Sequence, residues 1–344
     1  MTTTNAGSST AHAASARKPL PIRPIVTRED AISVQGRWLT TFCRWTLRPV
    51  LHVLTYLYAL PWPLGLVNML ARLVVIPPRG THRRSVRLQN CRAEVVRARG
   101  VGTVDGSGRA ILYLHGGAFL TCGPNTHARI VATLSREAGA PVLSVDYRMM
   151  PKSPVDAAVQ DSLDGYRWLL DQGYGPDRIA VAGDSAGGYL AFMVALSLLK
   201  EGQQPPATIA ALSPLTEVDP AGKLNHPNAR TDAMFTRRCA VVLQRLMQKA
   251  AARVAVDGIV GPLVEPTKED LSHMPPTLIH ASSSEALLRD AEVMTDRLAA
   301  AGTEVQLKSW AGQVHVFQAA ERFVPEARRS LNEIGAFIRE QTEA

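Results

Sequence analysis

The chain has 344 residues, 46% hydrophobic and 20% charged, a globular balance that excludes a disordered tract, a collagen-like repeat or a disulfide-stapled miniprotein. Its net charge of +8 is one-sided: residues 1–110 hold 16 Lys and Arg against 4 Asp and Glu, and the remainder hold 22 against 26. Such a basic third suits an anionic membrane surface, whereas nucleic acid is not an expected partner, because no binding motif accompanies the charge.

Residues 1–30 are rich in Thr, Ser, Ala and Pro without periodicity and read as a disordered tail. No apolar core follows Arg17 and Lys18, which argues against a cleavable signal peptide. Residues 31–82 read as an N-terminal helical cap or a membrane-surface segment. Within them, 49–71 carry no Asp, Glu, Lys or Arg, a run long enough to cross a bilayer. Pro61 and Pro63 interrupt it, and His52 and Asn68 are polar, so two short helices joined by LPWPLG fit better than one spanning helix. Tyr56, Tyr58 and Trp62, near Arg44, Arg48 and Arg72, suit peripheral contact of residues 44–72 with a membrane. Cys43, Cys91, Cys122 and Cys239 are scattered with no Cys-x-x-Cys pair. That predicts neither a disulfide framework nor a thiolate zinc site, and suits a reducing, cytoplasmic compartment.

From Arg83 the pattern changes. SVRLQNCRAEVVRA alternates around a turn at Gln89-Asn90, as a β-hairpin does. Strands are then expected at 110–115, 141–147, 178–183, near 207–213, 276–281 and 304–309. Helices are expected at 125–138, 156–171, 186–200, 286–300 and 325–341. Leu287, Ala291, Met294 and Leu298 make the stripe of a helix packed on a sheet. This alternation predicts the α/β class, with a mostly parallel sheet and helices on both faces over residues 83–213 and 273–344. Residues 214–272 interrupt it, loop-like at first and then helical around RCAVVLQRLMQKAAARV, and read as a lid above the strand ends.

Between the strand RIAVAG and its following helix lies Gly183-Asp184-Ser185-Ala186-Gly187, which fits the nucleophile-elbow pattern G-x-S-x-G. The turn is so tight that its neighbours must be small, and its effect is to expose the Ser185 hydroxyl. A plain glycine turn would also satisfy the five residues, but the flanks favour chemistry. A serine hydroxyl is a weak nucleophile that needs a base, an orienting acid and oxyanion donors, in the chain order Ser, acid, His. His315, in WAGQVHVFQ, follows the last strand and precedes the last helix. His280 lies inside an apolar strand and reads as core; His226 and His273 belong to the lid and its exit. In HASSSEALLRD, Glu285 stands nearest the strand end and Asp290 more than one helical turn beyond, so Glu285 is favoured as the acid. LYLHGGAFL places His115-Gly116-Gly117-Ala118 directly after a strand, where glycines let backbone N–H groups approach a substrate.

Through HGGAF, VDYRMMP, GDSAGG, SSEALLRD and VHVF, the chain from about Val86 onward resembles the hormone-sensitive-lipase-like (family IV) carboxylesterases of the α/β-hydrolase fold. It is similar to the actinobacterial Lip esterases. The resemblance implies Ser185 as nucleophile, His315 as base and Glu285 as acid, with backbone N–H donors from Gly117, Ala118 and Ala186 and with Gly116 shaping the loop. It implies that the N-terminal helices and residues 214–272 together cap an acyl pocket. A short- to medium-chain acyl ester or lipid would be the substrate, with no metal and no cofactor. Three residues depart from the pattern: Ala118 replaces a third glycine, Lys152 and Ser153 stand where Glu and His are frequent, and Glu285 replaces Asp. An amide hydrolase on the same triad, or a non-catalytic ligand-binding protein of this fold, are the alternatives; the presence of His315 argues against the latter.

Overall fold

A computed structural model describes residues 19–57, 65–253 and 263–343. Most of the LPWPLG junction, with Tyr58, Pro61, Trp62 and Pro63, lies outside the described residues, as do residues 1–18. The N-terminal part contributes β1 (Ile25–Glu29), α1 (Val34–Phe42), α2 (Arg48–Leu54) and α3 (Gly65–Val74). A π-turn at Cys43–Leu47 joins α1 to α2 without a break. The body follows as β2 (His82–Arg87), β3 (Arg92–Arg97), β4 (Ala110–Leu114), α4 (Ala128–Ala138), β5 (Val142–Asp146), α5 (Val155–Asp171), β6 (Ile179–Asp184), α6 (Ala186–Lys200) and β7 (Thr208–Leu212). An insertion of α7 (Ala221–Asn225), α8 (Asn228–Thr231) and α9 (Arg237–Ala252) precedes β8 (Thr277–Ser282), α10 (Leu288–Ala300), β9 (Val305–Trp310) and α11 (Pro325–Gln341).

The nine strands of the described residues form one sheet in the order β1-β9-β8-β7-β6-β4-β5-β3-β2. All neighbours are parallel except β3 with β5 and β2 with β3, the hairpin read from SVRLQNCRAEVVRA. β4 is buried at all five positions. Ala110, Leu112 and Leu114 face the cluster that takes in α5, α6 and α10, while Ile111 and Tyr113 face the one under α4 and α11. Successive strand side chains point to opposite faces, so a strand covered on both sides must be apolar throughout. α6 is apolar all round for the same reason, being wedged between the sheet and α5. Ala291, Met294 and Leu298 of the expected stripe are fully buried on the sheet, and Leu287 is half-buried.

The tail reading is corrected over residues 25–29. β1 pairs in parallel with β9 from Ile25 opposite Gln306 to Glu29 opposite Trp310. Without it β9 would be an open edge of unpaired N–H and C=O groups. Four of the five β1 side chains are exposed, so the strand carries no apolar alternation for the sequence to display.

α1 and α2 lean on the insertion. Arg44 donates to Thr231 O (2.9 Å), Arg48 to Arg230 O (3.2 Å), and His52 Nδ1 hydrogen-bonds Thr236 Oγ1 (3.1 Å). Among the described residues no helix is long and apolar enough to cross a membrane. Lys152 is exposed and forms no ion pair among the described residues; nearby, Arg148 grips the buried Asp161 carboxylate through Nε (3.0 Å) and a terminal guanidinium nitrogen (2.8 Å).

Candidate active site

The elbow is set by steric necessity. Ser185 sits at φ 53°, ψ −116°, between the last residue of β6 and the first of α6. A side chain at Gly183 would stand 2.8 Å from Leu114 O, and one at Gly188 would stand 2.7 Å from Pro214 Cβ. Gly187 leaves no room beside Leu114 O at all. A non-glycine residue in such a conformation costs about 1–3 kcal/mol, which the surrounding sheet and helix must offset.

Ser185 lines an apolar cavity of about 120 Å³ together with Ala118 and Ala186. Leu215, Val218, Leu224, Leu243 and Met247, all from the segment after β7, supply the opposite wall. Ala118 comes to this wall through a cramped loop. Gly117 is at φ 113° and Ala118 at φ 56°, and the N–H groups of Leu120 and Thr121 both donate to Gly117 O at 3.0 and 3.1 Å. Gly116 must lack a side chain because the Asp184 carboxylate fills that space. His115 points away from Ser185: it stacks on Tyr147 at 4.2 Å and bonds the Gly116 carbonyl through Nδ1 at 2.7 Å. Burial, reinforced by nearby His127, lowers its pKa to about 4, so it is neutral.

Beneath the elbow lies an ion pair that sequence reasoning missed. Asp184 accepts from Tyr113 Oη (2.7 Å) and from His127 Nε2 (3.1 Å), all three side chains buried. Burial disfavours both charges, yet the pairing prevails: Asp184 is held below its ordinary pKa and His127 above its own. The signal was present, since a carboxylate at the end of a strand buried throughout requires partners.

Glu285 and His315 meet directly. The Glu285 Oε2 atom accepts from His315 Nδ1 at 2.5 Å, while Oε1 accepts from Ser282 N (2.6 Å) and Ser213 Oγ (2.7 Å). Ser213 also accepts from Val316 N at 3.3 Å, so one hydroxyl ties the acid to the histidine loop. From α8, the Asn228 amide donates to Ser283 O and Glu285 O at 2.9 and 3.0 Å. Burial works against a charged His315, but the Glu285 carboxylate overrides it and raises the imidazole pKa. Asp232 stands close by and accepts from Ala286 N (2.7 Å), Met234 N (2.7 Å) and Phe235 N (2.8 Å); burial pushes its own pKa up. The Phe235 ring, which lines the Ser185 cavity, meets the His315 ring edge-on at 4.9 Å. Ser185 Oγ and His315 form no hydrogen bond among the described residues, a contact that commonly tightens only when substrate binds.

Asp290 belongs to a different network. Its carboxylate accepts from Thr216 N (2.8 Å), Glu217 N (3.0 Å) and the buried Lys223 ammonium (3.0 Å), which pins the start of the insertion onto α10. His280 is buried, bonds Ser330 through Nδ1 at 2.8 Å, and is kept neutral by burial, with a pKa near 3. Among the described residues no group of three or more His, Cys, Asp or Glu could hold a metal ion.

A strained serine between a parallel strand and a helix, beside a buried carboxylate–histidine pair, defines the class. Residues 111–319 match the family model for the α/β-hydrolase fold, and the chain belongs to that family, in its hormone-sensitive-lipase-like branch of carboxylesterase-type hydrolases. It is 48% identical over 319 residues to the carboxylesterase/phospholipase LipF of Mycobacterium tuberculosis, covering 93% of this chain and 85% of the relative. The esterase LipU of the same organism is 50% identical over 296 residues, covering 86% of this chain and all but 1% of the relative, 99% being matched. An esterase from the bacterial hormone-sensitive lipase family superposes with a TM-score of 0.72 at 31% identity, over 86% of this chain and 98% of that one.

Proposed function

We propose that the protein hydrolyses short- to medium-chain carboxylic esters through an acyl-enzyme on Ser185. The observation that carries this reading is the buried Glu285–His315 pair together with the strained Ser185 that lines the apolar cavity. Ser185 Oγ attacks the ester carbonyl and passes its proton to His315 Nε2. Glu285, accepting from Nδ1–H, fixes the ring orientation and stabilises the imidazolium. Backbone N–H groups of Gly117, Ala118 and Ala186 receive the developing oxyanion, with Gly116 leaving space for the Asp184 carboxylate below. His315 returns its proton to the leaving alcohol, and water then releases the acid by the same path. The names of the relatives, an esterase and a carboxylesterase/phospholipase, support this substrate class. α1, α2 and the insertion act as the cap, the apolar wall from Leu215 to Met247 receiving the acyl chain.

The test is covalent. Incubation with a fluorophosphonate should add one phosphonyl group at Ser185, located by peptide mass spectrometry; labelling elsewhere, or none, overturns the assignment. An acyl series of nitrophenyl esters then gives the chain-length optimum.

A pH profile follows from the ion pair. His315 must be neutral to accept the proton, so rate is lost as pH falls through its raised pKa. The acid limb of kcat/KM is therefore expected above about 6.5, and Glu285→Gln should move it down. A wild-type limb below that value would contradict the pairing.

The same reading includes peripheral contact with the anionic cytoplasmic leaflet. Trp38 and Trp45 are 71% and 75% exposed, and Phe42, Val50, Val53 and Tyr56 continue this apolar surface along α1 and α2. α3 exposes Leu70, Leu73 and Val74 as well, and Arg37 and Arg72 are exposed. Binding to phosphatidylglycerol vesicles should be released by 1 M salt, where the screening length is about 3 Å. Release by detergent alone would mean insertion into lipid and would remove this segment from the cap.

A further inference from the structure

A second cavity, of about 840 Å³, opens between α2 and the insertion. Its walls bring together five arginines: Arg48 from α2, Arg230 from α8, and Arg237, Arg238 and Arg245 from α9. Among the described residues none of the five forms an ion pair with a carboxylate. Two are held in place by other means. Arg48 donates to Arg230 O, and the Arg238 guanidinium lies 3.9 Å over the Tyr56 ring. Their Nε atoms are nonetheless buried without a hydrogen-bond partner among the described residues. Thr236, at the N-cap of α9, makes no side-chain bond to the helix N–H groups and bonds His52 instead. The helix start therefore adds partial positive charge to the same space. Like charges gathered without a counter-charge are unfavourable, and two unpaired buried donors more so. The arrangement is complementary to a multiply charged anion that accepts several forked N–H bonds, which is the chemistry of phosphate.

The cavity adjoins the candidate active site. Leu224, Ala229, Thr236 and Arg237 line both spaces, so Arg237 stands on the rim between the apolar chamber at Ser185 and the arginine chamber. We propose that the arginine cavity binds the phosphate of an anionic ester substrate, whose acyl chain enters the apolar chamber. This substrate assignment rests on the ester-hydrolase reading of Ser185; the anion site itself does not. Hydrolysis adds water across the acyl C–O bond, giving a free fatty acid and a phosphorylated alcohol, and no further reactant is needed.

The experiment compares lysophosphatidic acid with the monoacylglycerol of the same acyl chain, using wild-type protein and the Arg48→Gln/Arg245→Gln double variant. In parallel, Ser185→Ala protein is titrated calorimetrically with sn-glycerol 3-phosphate and with inorganic phosphate. Wild type is expected to favour the phosphorylated lipid in kcat/KM by about tenfold or more, and the double variant to lose about tenfold of that preference. The single variant Arg245→Gln, at an exposed position, should show part of the loss if the double variant does not fold. Equal kcat/KM for the two lipids in wild type, or an unchanged preference in the variants, overturns the proposal. Binding of inorganic phosphate without preference for the phosphorylated lipid assigns the cavity to free phosphate and also overturns it. If neither lipid is cleaved, the substrate assignment fails, while the ester-hydrolase reading is judged by the labelling of Ser185 and glycerol phosphate binding by the Ser185→Ala protein decides the anion site.

Discussion

Ser185→Ala is expected to lower kcat/KM for a nitrophenyl ester by about 10⁵-fold or more, while the protein stays folded. On the proposed mechanism the loss is large because the acyl-enzyme route disappears and only oxyanion stabilisation and binding remain. The fold should hold because Ser185 Oγ serves no other side chain among the described residues, whereas the backbone bonds of the elbow, Ser185 N to Leu212 O (2.9 Å) and Leu215 N to Ser185 O (3.0 Å), survive the change. Alanine keeps the strain at φ 53°, since it too carries a Cβ. Ser185→Gly should instead gain about 1 kcal/mol in unfolding free energy by relieving it. Initial rates and thermal melts of the two variants separate chemistry from stability. An alanine variant with most of its rate intact would remove Ser185 from the reaction.

The second large effect distinguishes two buried acids. Glu285→Gln is expected to cost about 10⁴-fold in kcat/KM, because an amide can no longer accept from Ser282 N, Ser213 Oγ and His315 Nδ1 together or balance the imidazolium. Asp290→Asn should act mainly on stability. It strips the counter-charge from Lys223, whose side chain is 5% exposed, and breaking a buried pair in this way costs about 3–5 kcal/mol. The expected pattern is therefore a slow but stable Glu285→Gln protein and a more active, low-melting Asp290→Asn protein. The reverse ranking of rates would transfer the orienting role to Asp290.

The parts that sequence reasoning found share one property: their signal is local. The elbow needs small residues within two positions of Ser185, and β4 and β6 need unbroken apolar runs, so each announces itself in a few letters. Glu285 could be preferred to Asp290 from helical rise alone, and the structure places the two carboxylates in separate networks. What escaped was assembled from distant segments. Asp184 and His127 are 57 positions apart, and Ser213 reaches Glu285 across 72. The arginine cavity joins Arg48 to Arg230 across 182 positions, so the basic excess of the N-terminal third hid its partners on α9. β1 escaped for another reason, since a strand added for its backbone alone leaves little mark in side-chain pattern.

That strand also sets an order of events. β1 docks on β9, Glu29 O accepts from Ala311 N (2.8 Å), Thr40 donates to Gly312 O (2.8 Å), and Ser33 bonds Glu326 through both N–H and hydroxyl. Gly36 lets α1 lie directly against Gln313, two residues before His315. The segment from β1 to α1 is thus a clamp on the loop that carries His315. During vectorial synthesis β1 leaves the ribosome before the other described strands and must wait for β9, the last of them. Closing so long a loop is entropically slow, and contacts of such high sequence separation form late. The nascent protein therefore buries most of its sheet before its histidine is held in place, and activity should be among the last properties that folding confers.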